Sequence, residues 1–186
     1  MALMRKLYQY LLAICAVVLF NHKSSAQELS VVDSVDILKY AGTWYEIARL
    51  PNRFQRDCVR NVTATYEVLD NGEIKVVNRC QKADGDSSTA EGIAHRASRD
   101  EPSSKLKVRF APAFLSFLPM VWGNYWIIDL APDYSYAVIG EPNREYLWVL
   151  ARTPKLEENT LQEILGRIKK QGYDLTGLIL TKQSEQ

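Results

Sequence analysis

From residue 43 to residue 152 the chain is a succession of short runs in which apolar and polar side chains alternate, each run closed by turn residues. Residues 105–110 show the pattern most clearly. Leu106, Val108 and Phe110 share one face, and Lys105, Lys107 and Arg109 share the other. A period of two is that of a β-strand with one face buried and one wet. Residues 62–69 set Val62, Ala64, Tyr66 and Val68 against Thr63, Thr65 and Glu67. Asp70-Asn71-Gly72 follows, and Asn and Gly accept the positive φ of a tight hairpin turn. Residues 73–80 then return as the partner strand. Residues 43–50, 89–97, 125–130, 136–140 and 146–152 complete a set of eight. Short, regularly spaced strands of this kind predict an all-β antiparallel sandwich or barrel.

One segment has a different period. Residues 157–171 place Leu161, Ile164, Leu165 and Ile168 at helical spacing, with Glu157 and Glu158 at the start and Lys169 and Lys170 at the end. Those charges suit the helix dipole, and Gly172 supplies the stop. The strand at 146–151 is apolar on both faces: Tyr146, Trp148 and Leu150 on one, Leu147, Val149 and Ala151 on the other. Such a strand is covered on both sides. The helix is therefore expected to pack outside the sheet, with a short ninth strand at 178–181.

Residues 1–26 read as a secretory signal peptide, leaving 27–186 as one domain. Arg5 and Lys6 form a positive start, residues 11–20 are an unbroken apolar run, and Ser24-Ser25-Ala26 supplies small residues for cleavage. An uncleaved anchor is the alternative, although about 20 apolar residues are normally needed to span a bilayer. Cys15 follows Ile14, not a small residue, which argues against a lipid-modified cysteine. The whole chain carries a net charge of +1, which gives no reason to expect a nucleic-acid partner. Four Trp, ten Tyr and five Phe argue against disorder. Cys58 and Cys80 remain after cleavage, and an even pair in an oxidising compartment reads as a disulfide. Simple hairpin register places residue 80 opposite about residue 63, so Cys58 reaches it only if the chain before Val62 curls back. His95 is the one histidine beyond the leader, so the residues call for no metal and no cofactor.

Three motifs make the pattern specific. Residues 36–47 contain Gly42-Thr43-Trp44, which resembles the Gly-x-Trp signature that opens a lipocalin. Asp129-Leu130-Ala131-Pro132-Asp133-Tyr134 is similar to that family's second motif, and Leu150-Ala151-Arg152-Thr153-Pro154 to its third. The segments around Trp44 and Trp148 most resemble bacterial lipocalins related to apolipoprotein D. The resemblance implies an eight-stranded up-and-down barrel with one helix outside, closed at its base by Gly42, Trp44 and Arg152. The Arg152 guanidinium is expected to lie across the Trp44 indole.

A barrel of eight strands has room for one small ligand. By alternation, its lining is expected to include Val62, Ala64, Tyr66, Ile74, Val76, Asn78, Leu106, Val108 and Phe110. Trp126 and Ile128 join them, since the resemblance implies a pocket Trp at that place. Glu46 shares the phase of Trp44 and is expected inside, either bonded within the protein or touching ligand, with Arg96 a candidate partner. The greasy stretch 110–122, holding Phe114, Phe117, Met120 and Trp122, lies between the fifth and sixth strands. It is read as a membrane-touching lip, a dimer contact, or a loop folded over the cavity. Asn61-Val62-Thr63 is a glycosylation sequon, discounted because the resemblance is bacterial. The expected function is non-enzymatic storage or transport of a fatty acid or lysophospholipid for membrane maintenance. The expected place is the periplasm or outer membrane, or outside the cell if the source is eukaryotic, and the chain is a monomer or homodimer. The alternatives are an enzyme built on the same barrel, which needs a free cavity thiol, and a tetrapyrrole or pigment binder, for which His95 is the one imidazole.

Overall fold

The computed structural model describes residues 28–184; the expected signal peptide lies outside the described residues. A one-turn helix α1 (Ile37–Tyr40) leads into β1 (Gly42–Arg49), β2 (Cys58–Val68), β3 (Ile74–Lys82) and β4 (Ser87–Arg96). Then come β5 (Lys105–Arg109), β6 (Gly123–Leu130), β7 (Tyr136–Gly140) and β8 (Leu147–Ala151). Helix α2 (Glu158–Lys170) and β9 (Ile179–Leu180) finish the chain. Each strand from β1 to β8 pairs antiparallel with the next, and β8 returns to β1, so eight strands close into a barrel. β9 is added to the upper half of β1.

Two apolar clusters lie either side of this wall. Inside are Tyr40, Trp44, Ala64, Tyr66, Val76, Leu106, Ile127 and Leu150 with their neighbours. Outside, under α2, are Ile47, Ile128, Val138, Leu147, Val149 and Ala151. Leu161, Ile164 and Ile168 of α2 are buried against that outer cluster. The two-faced strand β8 thus sits between lumen and helix, as its sequence requires. Burying three such side chains stabilises the docked helix by about 1.5–3 kcal/mol each.

The strand directions put the hairpin turns at 69–73 and 131–135 at one end, with the crossing N-terminal segment. That segment is pinned there: Val32 N–H donates to the Ile127 carbonyl at 3.0 Å, and Val35 N–H to Ser103 Oγ at 2.7 Å. Asp36 caps α1 by accepting from the N–H groups of Leu38 and Lys39 at 3.0 and 3.3 Å. The cap fixes Tyr40 beneath the barrel, where it is fully buried. The β1–β2, β3–β4, β5–β6 and β7–β8 connections gather at the other, open end.

The disulfide joins Cys58 and Cys80, with their Cα atoms 5.6 Å apart. The curl it requires is made by two bulges in β2, between Cys58 and Arg60 and between Arg60 and Thr63. They shift Cys58 opposite Lys82, one diagonal step from Cys80.

Candidate functional site

At the closed end Trp44 is fully buried, and its Nε1 donates to the Tyr40 carbonyl at 2.8 Å. The Arg152 guanidinium lies 3.8 Å from the centre of the indole. Its Nη2 donates to the carbonyls of Lys39 and Tyr40 at 2.6 and 3.1 Å, and its Nη1 to that of Thr43 at 3.1 Å. Gly42, at φ +95°, leaves the backbone close to this group: a Cβ there would sit 3.4 Å from Arg152 Nη1. One cation thus staples the entrance of β1 to the end of the barrel and covers the ring that plugs it.

Directly above lies a group that the alternation pattern does not reveal. The Tyr40 and Tyr66 hydroxyls each lie 2.7 Å from the Tyr125 hydroxyl. Their rings pack on Trp44 and on one another, Tyr40 at 4.9 Å from Trp44 and 5.3 Å from Tyr66. Burial pushes all three phenols up, Tyr66 to about 12, so they are neutral at physiological pH.

The wall above this floor is apolar. Ala64, Tyr66, Val76 and Leu106 are buried inside it, and Val108 packs there half-buried, as alternation predicts. Val62 is buried, while Asn78, beside Ala64 in the β2–β3 register, is half-buried. Phe110 lies just beyond the end of β5, and its ring rests over Gly92. A Cβ on Gly92 would fall 2.8 Å from the Phe110 ring and 2.7 Å from the Arg109 carbonyl, so only glycine admits this contact. Phe110 is partly exposed at the mouth.

The expectation for β6 is corrected. Trp126 and Ile128 face outward, and the inward residues are Tyr125 and Ile127. Trp126 pairs with Lys105, whose Nζ lies 4.3 Å over the indole, while Leu106 inside pairs with Tyr125. The cause is plain in the sequence: Tyr125-Trp126-Ile127-Ile128 is apolar on both faces, so alternation alone cannot choose between them.

Glu46 is inward and buried, as expected, but Arg96 is not its partner. Arg96 donates to the carbonyls of Arg99 and Glu101 in the β4–β5 connection. Glu46 Oε1 instead accepts from Arg49 Nη1 at 3.0 Å and from Thr181 Oγ1 at 2.5 Å, and its Oε2 accepts from Gln55 Nε2 at 2.6 Å. A β1 bulge between Glu46 and Ala48 turns Arg49 to the same face as Glu46. Gln55 Oε1 in turn accepts from Trp148 Nε1 at 2.7 Å. The Glu46 carboxylate is thus satisfied by the protein itself.

The loop between β5 and β6 does not fold over the lumen. Trp122 lies on the outer wall, its ring 4.5 Å from His95 and 5.2 Å from the Arg109 guanidinium. Its Nε1 donates to the Ser116 carbonyl at 2.8 Å. Phe114, Phe117 and Met120 stand 74%, 76% and 85% exposed. A depression of about 310 Å³, lined by His95, Lys107, Phe117 and Trp122 among others, lies beneath them on the outside.

Residues 35–183 match the family described as a lipocalin-like domain. The chain is 39% identical over 160 residues to temperature-induced lipocalin-1 of Arabidopsis thaliana, covering 86% of this chain and 85% of that one. It is 36% identical over 156 residues to outer membrane lipoprotein Blc of Citrobacter freundii, 83% of each chain. The fold is shared with insecticyanin of the tobacco hornworm Manduca sexta, at a TM-score of 0.65 and 21% identity over 86% of this chain and 87% of that one. With the closed barrel, the Trp44–Arg152 stopper and a family match from the first helix to the last strand, this chain belongs to the lipocalin family.

Proposed function

We propose that the lumen binds one small hydrophobic molecule, a lipid such as a fatty acid or lysophospholipid, and that the chain stores or carries it for membrane maintenance. The observation behind this reading is the state of the inward side chains. Val108, Tyr125 and Trp148 belong to the inner cluster, yet each keeps accessible surface. We read that remaining surface as the border of an open interior, lined chiefly by carbon. Capture needs no covalent step, since apolar burial supplies about 25 cal/mol per Å². Val62, Ala64, Tyr66, Val76, Leu106, Val108 and Phe110 are the contacts we assign to the ligand, with Asn78 nearer the mouth. Glu46 serves the wall.

Phe114, Phe117 and Met120 on the β5–β6 connection and Phe54 on the β1–β2 connection are exposed at the open end, and we read them as an apolar rim. We assign this rim to transient contact with a membrane from which lipid is taken. An envelope setting agrees with the Blc relative, whose name places it in the outer membrane. An enzyme relying on a cavity thiol is disfavoured, because Cys58 and Cys80 are bonded to each other.

The test is mass spectrometry of lipids extracted from natively purified protein. One acyl lipid per chain is expected, and protein free of lipid that also fails to take up added fatty acid overturns the reading. Flotation with liposomes tests the rim separately: Phe117→Asp, at an exposed position, should partition less than wild type, and equal partitioning removes the membrane contact.

A further inference from the structure

The three tyrosines at the lumen floor hold one more proton than they can use among themselves. Three hydroxyls bring three O–H donors, and two hydroxyl–hydroxyl contacts of 2.7 Å consume two of them. Among the described residues no other bond is made by these oxygens. Tyr125 is the centre of the group, within reach of both others, while Tyr40 and Tyr66 do not approach each other's hydroxyl in the same way.

Tyr40 and Tyr66 are buried, whereas Tyr125 is half-buried. Either hydroxyl of each pair can donate; because Tyr125 is central and the least buried of the three, we take Tyr40 and Tyr66 to donate to it and Tyr125 to direct its own O–H up into the lumen. Accepting two hydrogen bonds polarises that O–H and strengthens it as a donor. Leu106, opposite it in the β5–β6 register, cannot accept.

The chemistry of its partner follows. A single neutral donor in an apolar floor cannot hold an ionised carboxylate, whose burial is costly without a counter-charge. Arg152 is screened behind the Trp44 ring, and Arg49 is already paired with Glu46. An uncharged oxygen asks for one donor and receives one.

We propose that Tyr125 anchors an uncharged oxygen, a ketone, aldehyde, alcohol or ester carbonyl, at the end of a lipid that enters oxygen-first. This rests on the lumen reading above and adds neutral oxygenated lipids, held at the floor, to its ligand class; a fatty acid would enter tail-first and leave its carboxylate at the mouth.

The experiment displaces the neutral fluorophore N-phenyl-1-naphthylamine with three chains of thirteen carbons: a methyl ketone, the alkane and the carboxylate. Tyr125→Phe keeps the ring and removes the donor. It should weaken the ketone by about tenfold, the effect of one hydrogen bond to a buried oxygen, and leave the alkane and carboxylate within about twofold. Tyr66→Phe removes a supporting hydroxyl but keeps the donor, so its ketone loss should be about threefold or less. Equal losses for all three chains would mean that Tyr125 merely supports the floor, and no loss for any would mean its proton serves solvent; either overturns this proposal alone. If wild type binds none of the probes, the carrier reading falls and takes this one with it.

Discussion

Removing the indole at the barrel base should unfold the protein well before it affects ligand choice. Trp44 has no exposed surface, one hydrogen bond to the Tyr40 carbonyl, and a guanidinium 3.8 Å from its ring centre. Trp44→Ala therefore costs about 3–5 kcal/mol, the range for truncating a buried Trp. For a domain of this size, each kcal/mol lowers Tm by about 2–4 °C, so a fall of about 6–20 °C is expected. Trp44→Phe keeps an aromatic ring and loses the Nε1 bond, which costs about 1 kcal/mol, plus a weaker hold on Arg152. Arg152→Ala removes a donor from three carbonyls and uncovers the ring. The two alanine variants share one contact, so together they should cost less than their sum, by about 0.5–2 kcal/mol. Urea and thermal denaturation followed by circular dichroism measure all four chains. A Trp44→Ala protein melting within about 2 °C of wild type would refute the stopper, and strict additivity would refute the contact between ring and cation.

Other parts of the molecule give independent predictions. Glu46→Ala leaves the buried Arg49 cation without its carboxylate and should cost about 3–5 kcal/mol, while Glu46→Leu combined with Arg49→Leu should recover most of it; urea midpoints would show either. Cys58→Ser with Cys80→Ser opens a link spanning 22 residues and should lower stability by about 3 kcal/mol, read against the oxidised protein in the same buffer. Tyr66 has its pKa pushed by burial from 10.0 to about 12, and Tyr40 and Tyr125 are raised with it. The folded state then holds protons that the unfolded chain releases, so stability should be level below about pH 10 and fall as pH rises toward 12. Phenolate absorbance should show these tyrosines ionising only as the protein unfolds, and ionisation near pH 10 in folded protein would contradict their burial.

Much of this was legible because most of the strands have one wet face. On β2, β3 and β5 the outward Thr63, Thr65, Lys75, Lys105 and Lys107 fix the phase, and the inward residues follow. Helix α2 was legible for the same reason at its own period, and its stripe found the outer face of β8. On β6 alternation cannot choose the phase, because Tyr125-Trp126-Ile127-Ile128 offers apolar groups to lumen and helix alike. The pairing Lys105–Trp126 settles the phase, and it is a fact of register that no single strand carries. The Glu46 site was legible only as a buried acid in need of partners. Arg49 reaches it through a bulge, and Thr181 comes from 135 residues away. The tyrosine floor is hidden for a similar reason: Tyr40 lies outside every strand and is delivered by one capped turn of helix.

The most direct test of a hollow, ligand-holding barrel is native mass spectrometry of the wild type beside Val108→Trp. Val108 faces the inner cluster and is half-buried, so an indole there should occupy the open interior without displacing the wall. One bound lipid per wild-type chain is expected, none on Val108→Trp, with melting temperatures within a few degrees of each other. Equal lipid occupancy on both proteins would place the ligand elsewhere and contradict the account.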